Sequence, residues 1–176
     1  GLPLGPTSEP QVVGPTMRGG IFRGSATLAC PPLKVSPDVR LLPSMNITRA
    51  QTNGTKRGPA DYFTGVVWLD EVTAAPYSSD MRVVMVTFEP AARTAWHTHP
   101  HGQWLHITAG VGRVQTVGEA VREVLPGDVI WFEPGERHWH GAAPQHGMVH
   151  LAVQRADEAG RTATWLEQVS AADYAG

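Results

Sequence analysis

Cys30 is the only cysteine in the chain, so no internal disulfide is available and the redox compartment is left open. Charge of neither sign is in excess. Fourteen Lys and Arg against sixteen Asp and Glu leave a net charge of -2, and no run of basic residues offsets it, which removes the electrostatic case for nucleic acid. Long hydrophobic runs are missing too: none approaches the roughly 18 residues of a membrane span. Met17-Arg18 ahead of Ile21 to Cys30 has the outline of a signal peptide, but glycines, an arginine and a serine interrupt its apolar stretch. The expected location is therefore cytoplasmic. Helical periodicity is scarce, with only Ala163 to Ala172 reading as a helix, and no internal repeat is found. What is present is 176 residues with 41% hydrophobic content, enough for one domain with a sizeable core.

The texture changes near residue 45. Residues 1–44 hold Pro3, Pro6, Pro10, Pro15, Pro31, Pro32, Pro37 and Pro43 with many glycines between them. Proline fixes φ and lacks an amide donor, so this stretch is expected to be an extension, partly disordered, with at most one edge strand at Val35 to Leu42. From residue 45 to 176, short apolar runs alternate with Gly, Pro and Asp, the pattern of an all-β sandwich or barrel. Strands are expected at Tyr62–Leu69, Arg82–Glu89, Arg93–His99, Gln103–Ala109, Val111–Val117, Ala120–Val124, Asp128–Phe132 and Met148–Gln154. Val83-Val84-Met85-Val86 is apolar on both faces, so its outer face needs another layer or a second subunit; a homodimer or higher homo-oligomer is expected.

Against this background stand Trp96-His97-Thr98-His99-Pro100-His101-Gly102-Gln103 and, further along, Gly135-Glu136-Arg137-His138. On a strand, His97 and His99 point to one side and Thr98 to the other. Pro100 and Gly102 make a turn, after which Gln103 returns to face the same histidines, and His138 enters from a second turn. Three neutral imidazoles and an amide oxygen converging on one point can hold a divalent transition metal and leave positions open for chemistry. His140 shares the side of His138, and His150 shares a face with Ala152 and Gln154. Each is either a proton carrier or a hydrogen-bonded core residue. Val84 and Val86 form either an apolar substrate wall or ordinary core, with Gln154 at the pocket. His101 and His106 read as surface or interface residues, and His146 sits in a loop. The six tryptophans read as packing anchors, with Trp139 pointing away from the metal.

These two segments resemble the paired motifs of the cupin superfamily, small antiparallel β-barrels of jelly-roll type. In the first, Gly-x5-His-x-His-x3-4-Glu-x6-Gly, His97, His99 and Gly110 fit, while Ala91 and Gln103 replace the leading glycine and the glutamate. In the second, Gly-x5-Pro-x-Gly-x2-His-x3-Asn, Gly127, Gly135 and His138 fit, while Glu133 and Ala142 replace the proline and the asparagine. Gly58 to Gly65, Phe88 to Gln103 and His138 to Pro144 resemble the small bacterial cupins that include manganese-dependent hydroxynitrile lyases, which share the glutamine. That resemblance implies His97, His99, Gln103 and His138 as ligands of one divalent metal per chain, with manganese favoured and iron, nickel, cobalt or zinc compatible with the same donors. It begins near Met45 and does not extend over residues 1–44.

An amide at position 103 leaves the full charge of a divalent ion uncompensated, which favours Lewis-acid work on an alcohol or carbonyl oxygen over oxygen chemistry. The expected activity is therefore a metal-dependent lyase acting on a small molecule, of the hydroxynitrile lyase kind. A dioxygenase acting on phenolic or enolic substrates and a non-catalytic cupin that binds a small ligand are the alternatives.

Overall fold

Alternating apolar and polar residues build short strands throughout the computed structural model, which describes residues 47–49, 52–73 and 80–176. In chain order they are β1 (Thr55–Arg57), β2 (Phe63–Thr64), β3 (Val67–Glu71), β4 (Met81–Phe88), β5 (Arg93–Thr94), β6 (His97–Thr98) and β7 (Gln103–Gly110). There follow β8 (Gly112–Thr116), β9 (Arg122–Val124), β10 (Val129–Phe132), β11 (His138–Ala142), β12 (Met148–Arg155) and β13 (Thr164–Trp165), then helix α1 (Ala171–Ala175). The expected edge strand at Val35 to Leu42 lies outside the described residues.

The strands form two antiparallel sheets. One has the order β1-β3-β4-β12-β7-β10; in the other β11 is central, with β8 and β9 on one side and β5, β6, β2 and β13 on the other. Their inner faces meet over a core that includes Val67, Phe88, Leu105, Ile107, Phe132 and Met148. On β4 the even-numbered Val84, Val86 and Phe88 belong to this face, and on β12 so do Met148, His150 and Ala152. Strict alternation thus fixes which histidines enter the barrel.

Two of the expected strands are interrupted. Tyr62–Leu69 divides into β2 and β3. Arg93–His99 divides into β5 and β6 because the chain changes partner: β5 pairs with β2, whereas β6 pairs with β13. Thr94 and His97 both line the interior, so one extra residue has been inserted into the alternation at Ala95-Trp96. The insertion lets Trp96 pack outside the sheet while His97 faces in. Ala91, where the motif carries glycine, adopts φ 63°, so the left-handed backbone conformation is kept at a strain that glycine would avoid. Gly141 is needed for contact: a Cβ there would lie 2.5 Å from the Ala92 carbonyl oxygen, so β11 could not approach β5.

The expected helix over Ala163 to Ala172 is not formed. Residues 164–165 are the edge strand β13, and helix starts only at Ala171, capped by Ser170, whose hydroxyl accepts from the Asp173 amide at 3.0 Å. The C-terminal segment covers the outside of the second sheet. Trp96, Trp139, Val169 and Tyr174 form a separate apolar cluster there, and the Tyr174 hydroxyl donates to the Ala142 carbonyl at 2.7 Å. Trp139 therefore points away from the interior, as expected. The other sheet has no such cover among the described residues: Val83, Met85, Leu151 and Val153 stay half-buried on its outer face, and Trp68 and Trp131 are exposed. Among the described residues no helix is long and apolar enough to cross a membrane.

Candidate metal centre

The barrel interior is apolar toward one end and rich in histidine toward the other. His97 on β6 and His138 on β11 are direct cross-strand partners, with ring centroids 4.3 Å apart. His140 lies two positions further along β11, and the ligating nitrogens of His97, His138 and His140 all fall within 4.8 Å of one another. His99, just beyond β6, brings its ring to 5.1 Å from that of His97 and 5.6 Å from that of His138. Gln103 opens β7 and places its Oε1 3.1 Å from His138 Nε2. Six polar side chains, His97, His99, Gln103, His138, His140 and His150, are thus buried together.

Backbone carbonyls decide which ring nitrogens carry protons. His97 Nδ1 donates to the Ala95 carbonyl at 3.0 Å, His99 Nδ1 to that of Thr162 at 2.6 Å, and His138 Nδ1 to that of Glu136 at 2.8 Å. A carbonyl can only accept, so in each neutral ring Nε2 is left as a lone pair. Phe132 lies flat against His138 at 3.7 Å and fixes its ring plane. The result is three imidazole lone pairs and one amide oxygen in the same space. His99 Nε2 has no partner, and the Gln103 oxygen faces the lone pair of His138. Acceptors opposed in this way repel unless a cation lies between them. Their 3.1 Å spacing suits neighbouring ligands around a divalent ion with bonds of about 2.0–2.2 Å. The donor set fits a divalent transition metal, with the Nδ1 protons anchored as in known histidine metal sites.

Burial keeps every one of these rings uncharged. It pushes the pKa of His138 and of His150 down to about 3, and holds His97 and His140 well below the usual imidazole value. Neighbouring imidazoles push His97 and His140 further in the same direction. Burial also lowers His99, while the Gln103 side chain acts the other way on both His97 and His99, which places the amide close to each. His150 Nε2 and His140 Nδ1 share a hydrogen bond at 3.2 Å, and His140 Nε2 has no partner. The Thr94 hydroxyl accepts from the His140 amide at 3.1 Å and holds β11 in place behind the pair.

These groups line one side of a cavity of about 340 Å³, with Leu69, Val84, Val86 and Ala152 opposite. Gln154 also lines the cavity, whereas His138 is not among its lining residues and joins the group through Gln103. His101 and His146 are exposed, and His106 packs beside Trp104 on the outer face, away from the cavity. The tightest cluster of ring nitrogens comprises His97, His138 and His140 and leaves out His99. Sequence reasoning missed Trp165 and Tyr62. Trp165 leans on His97 at 4.7 Å and stacks on Tyr62 at 4.6 Å, forming an aromatic wall of the cavity. The alternation Thr162-Ala163-Thr164-Trp165 was an available strand signal, masked by the good helix formers that follow.

Two facing antiparallel sheets with a histidine-rich centre between them define a small, single-barrel cupin. Residues 84–153 match the family described as Cupin domain, and the chain belongs to the cupin family. It is 51% identical over 130 residues to a protein of Granulicella tundricola named (R)-mandelonitrile lyase, a match covering 74% of this chain and 98% of that one. It is 39% identical to a cupin-like protein of Thermotoga maritima whose crystal structure superposes with a TM-score of 0.63, covering 67% of this chain and 89% of that one. The polyketide cyclase RemF of Streptomyces resistomycificus has the same fold at 16% identity and a TM-score of 0.57, over 74% of this chain and 90% of that one.

Proposed function

We propose that the protein is a metal-dependent lyase that cleaves and forms cyanohydrins, with His97, His99, Gln103 and His138 holding the ion, manganese in the favoured case. The observation that carries this reading is the set of proton-locked donors beside an uncharged histidine pair, His140 and His150. The likeness to a protein named (R)-mandelonitrile lyase supports the choice of reaction. Bound there, a divalent ion supplies a Lewis acid for an alcohol or carbonyl oxygen.

The chain's own residues do the rest. Val84, Val86 and Trp165 give an aryl or alkyl group an apolar place to lie. His140 Nε2 has no hydrogen-bond partner and the ring is neutral, so its lone pair can accept the hydroxyl proton of a cyanohydrin, directly or with His150 behind it. The carbon–carbon bond then breaks, its electron pair leaves with cyanide, and the oxygen becomes a carbonyl. Because burial makes these imidazoles weak bases, the acquired proton passes readily to cyanide, and hydrogen cyanide departs. Atoms and charge balance without oxygen.

An anaerobic assay of the manganese form on mandelonitrile tests this, compared with His140→Ala and His150→Ala. The expected result is cyanide release without oxygen and a loss of about 10²–10⁴-fold in at least one variant, the range of a missing acid–base group, with metal retained. Turnover only with oxygen, on a phenolic substrate, would make the protein an oxygenase. Binding without turnover would make it a ligand-binding cupin.

A further inference from the structure

Gln103 differs from a carboxylate ligand in having a wrong way round. Its amide carries one oxygen and one NH2, and only the oxygen can hold a metal. Turned over, it would aim NH2 at His138 Nε2, a ready acceptor because the ring's one proton is on Nδ1, committed to the Glu136 carbonyl. An inverted Gln103 would thus be satisfied by His138 and would close the centre to cations. Something must favour the ligating orientation.

The β7–β12 register sets Gln103 directly opposite Gln154. Gln103 Nε2 donates to Gln154 Oε1 at 3.4 Å while Gln103 Oε1 faces His138. If Gln103 alone turned, its oxygen would oppose that of Gln154. We infer that Gln154 is a positioning residue: it accepts the amide hydrogen of Gln103 and so keeps the Gln103 oxygen turned to the metal. Metal affinity then depends on a residue that is no ligand, beyond any part Gln154 takes as cavity wall. This rests on the reading of Gln103 as a ligand.

A double-mutant cycle read as the Kd for Mn²⁺, by chelator competition, separates the roles. Gln154→Leu is close in volume and removes the acceptor. It should weaken binding about tenfold, the lower end for loss of a group supporting a ligand. In a Gln103→Glu background the same change should alter Kd less than twofold, because a carboxylate presents an oxygen whichever way it turns. Circular dichroism checks that each variant is folded. Equal losses in the two backgrounds, or no loss in the glutamine background, would overturn the inference while leaving the metal centre standing. A wild-type protein that binds no divalent ion would instead remove the ligand reading on which it rests.

Discussion

Stripped of metal, the protein should lose stability steeply as the solution turns acidic. His138 and His150 each have a pKa lowered to about 3 by burial, against about 6.5 for the imidazole of an unfolded chain. Between those values the unfolded chain binds protons that the folded chain refuses. Stability is therefore full above pH 6.5 and is lost as pH falls toward 3. Each such proton is worth about 1.4 kcal/mol per pH unit, so the two together cost about 2.7 kcal/mol per unit. At pH 5 the loss is about 4 kcal/mol, a large share of the roughly 5–15 kcal/mol that holds a domain folded. His97, His99 and His140 are lowered in the same direction, so two protons is the minimum slope. Urea unfolding of chelator-treated protein between pH 7.5 and 5, followed by tryptophan fluorescence, measures it. His150→Leu, which removes one of the refused protons, should flatten the slope by about 1.4 kcal/mol per pH unit. A slope below one proton between pH 6.5 and 5, or one untouched by His150→Leu, would show that these rings are charged or solvated in the folded state.

Replacing either His97 or His138 by alanine should reduce bound metal from one ion per chain to a small fraction while circular dichroism keeps its β-sheet form; full occupancy in both variants by elemental analysis would disprove the ligand set. A chain beginning at Met45 should bind metal and melt within about 5 °C of the full chain, a shift worth about 1.5 kcal/mol; a large loss would mean that residues 1–44 are part of the barrel. The uncovered outer face carrying Val83, Met85, Leu151, Val153 and Trp131 should pair with a second copy, so sedimentation at micromolar concentration should give about twice the 19.0 kDa of one chain. A mass of one chain would refute it.

His-x-His and Pro-Gly-x-x-His were legible because turn chemistry and strand alternation are local, and together they single out the candidate ligands. The same alternation put Val84 with Val86, and His150 with Gln154, on shared faces, and the structure turns both faces to the cavity. The break at Ala95-Trp96 was not legible, because it follows from β11 and from two different partners on the other side, all remote in sequence. Residues 163–172 misled for a related reason. Ala163, Leu166, Glu167 and Gln168 favour helix locally, but pairing with the edge of β6 lets a half-buried Trp165 pack against the core and overrides that preference. The carbonyls of Ala95, Glu136 and Thr162 were invisible in principle, since any residue supplies one.

Among those carbonyls, that of Thr162 has a consequence in time. It clamps His99 from 63 residues further along the chain, and its segment joins the metal strand only as an edge added by β13. Closing a loop of that length is among the slower contacts a small domain makes. The other two clamps are each two residues from the histidine they hold and form with their own turns. During synthesis or refolding, His97 and His138 can be set early, but His99 stays free to rotate until the end of the chain arrives. A fully oriented centre thus certifies that β13 has docked on β6.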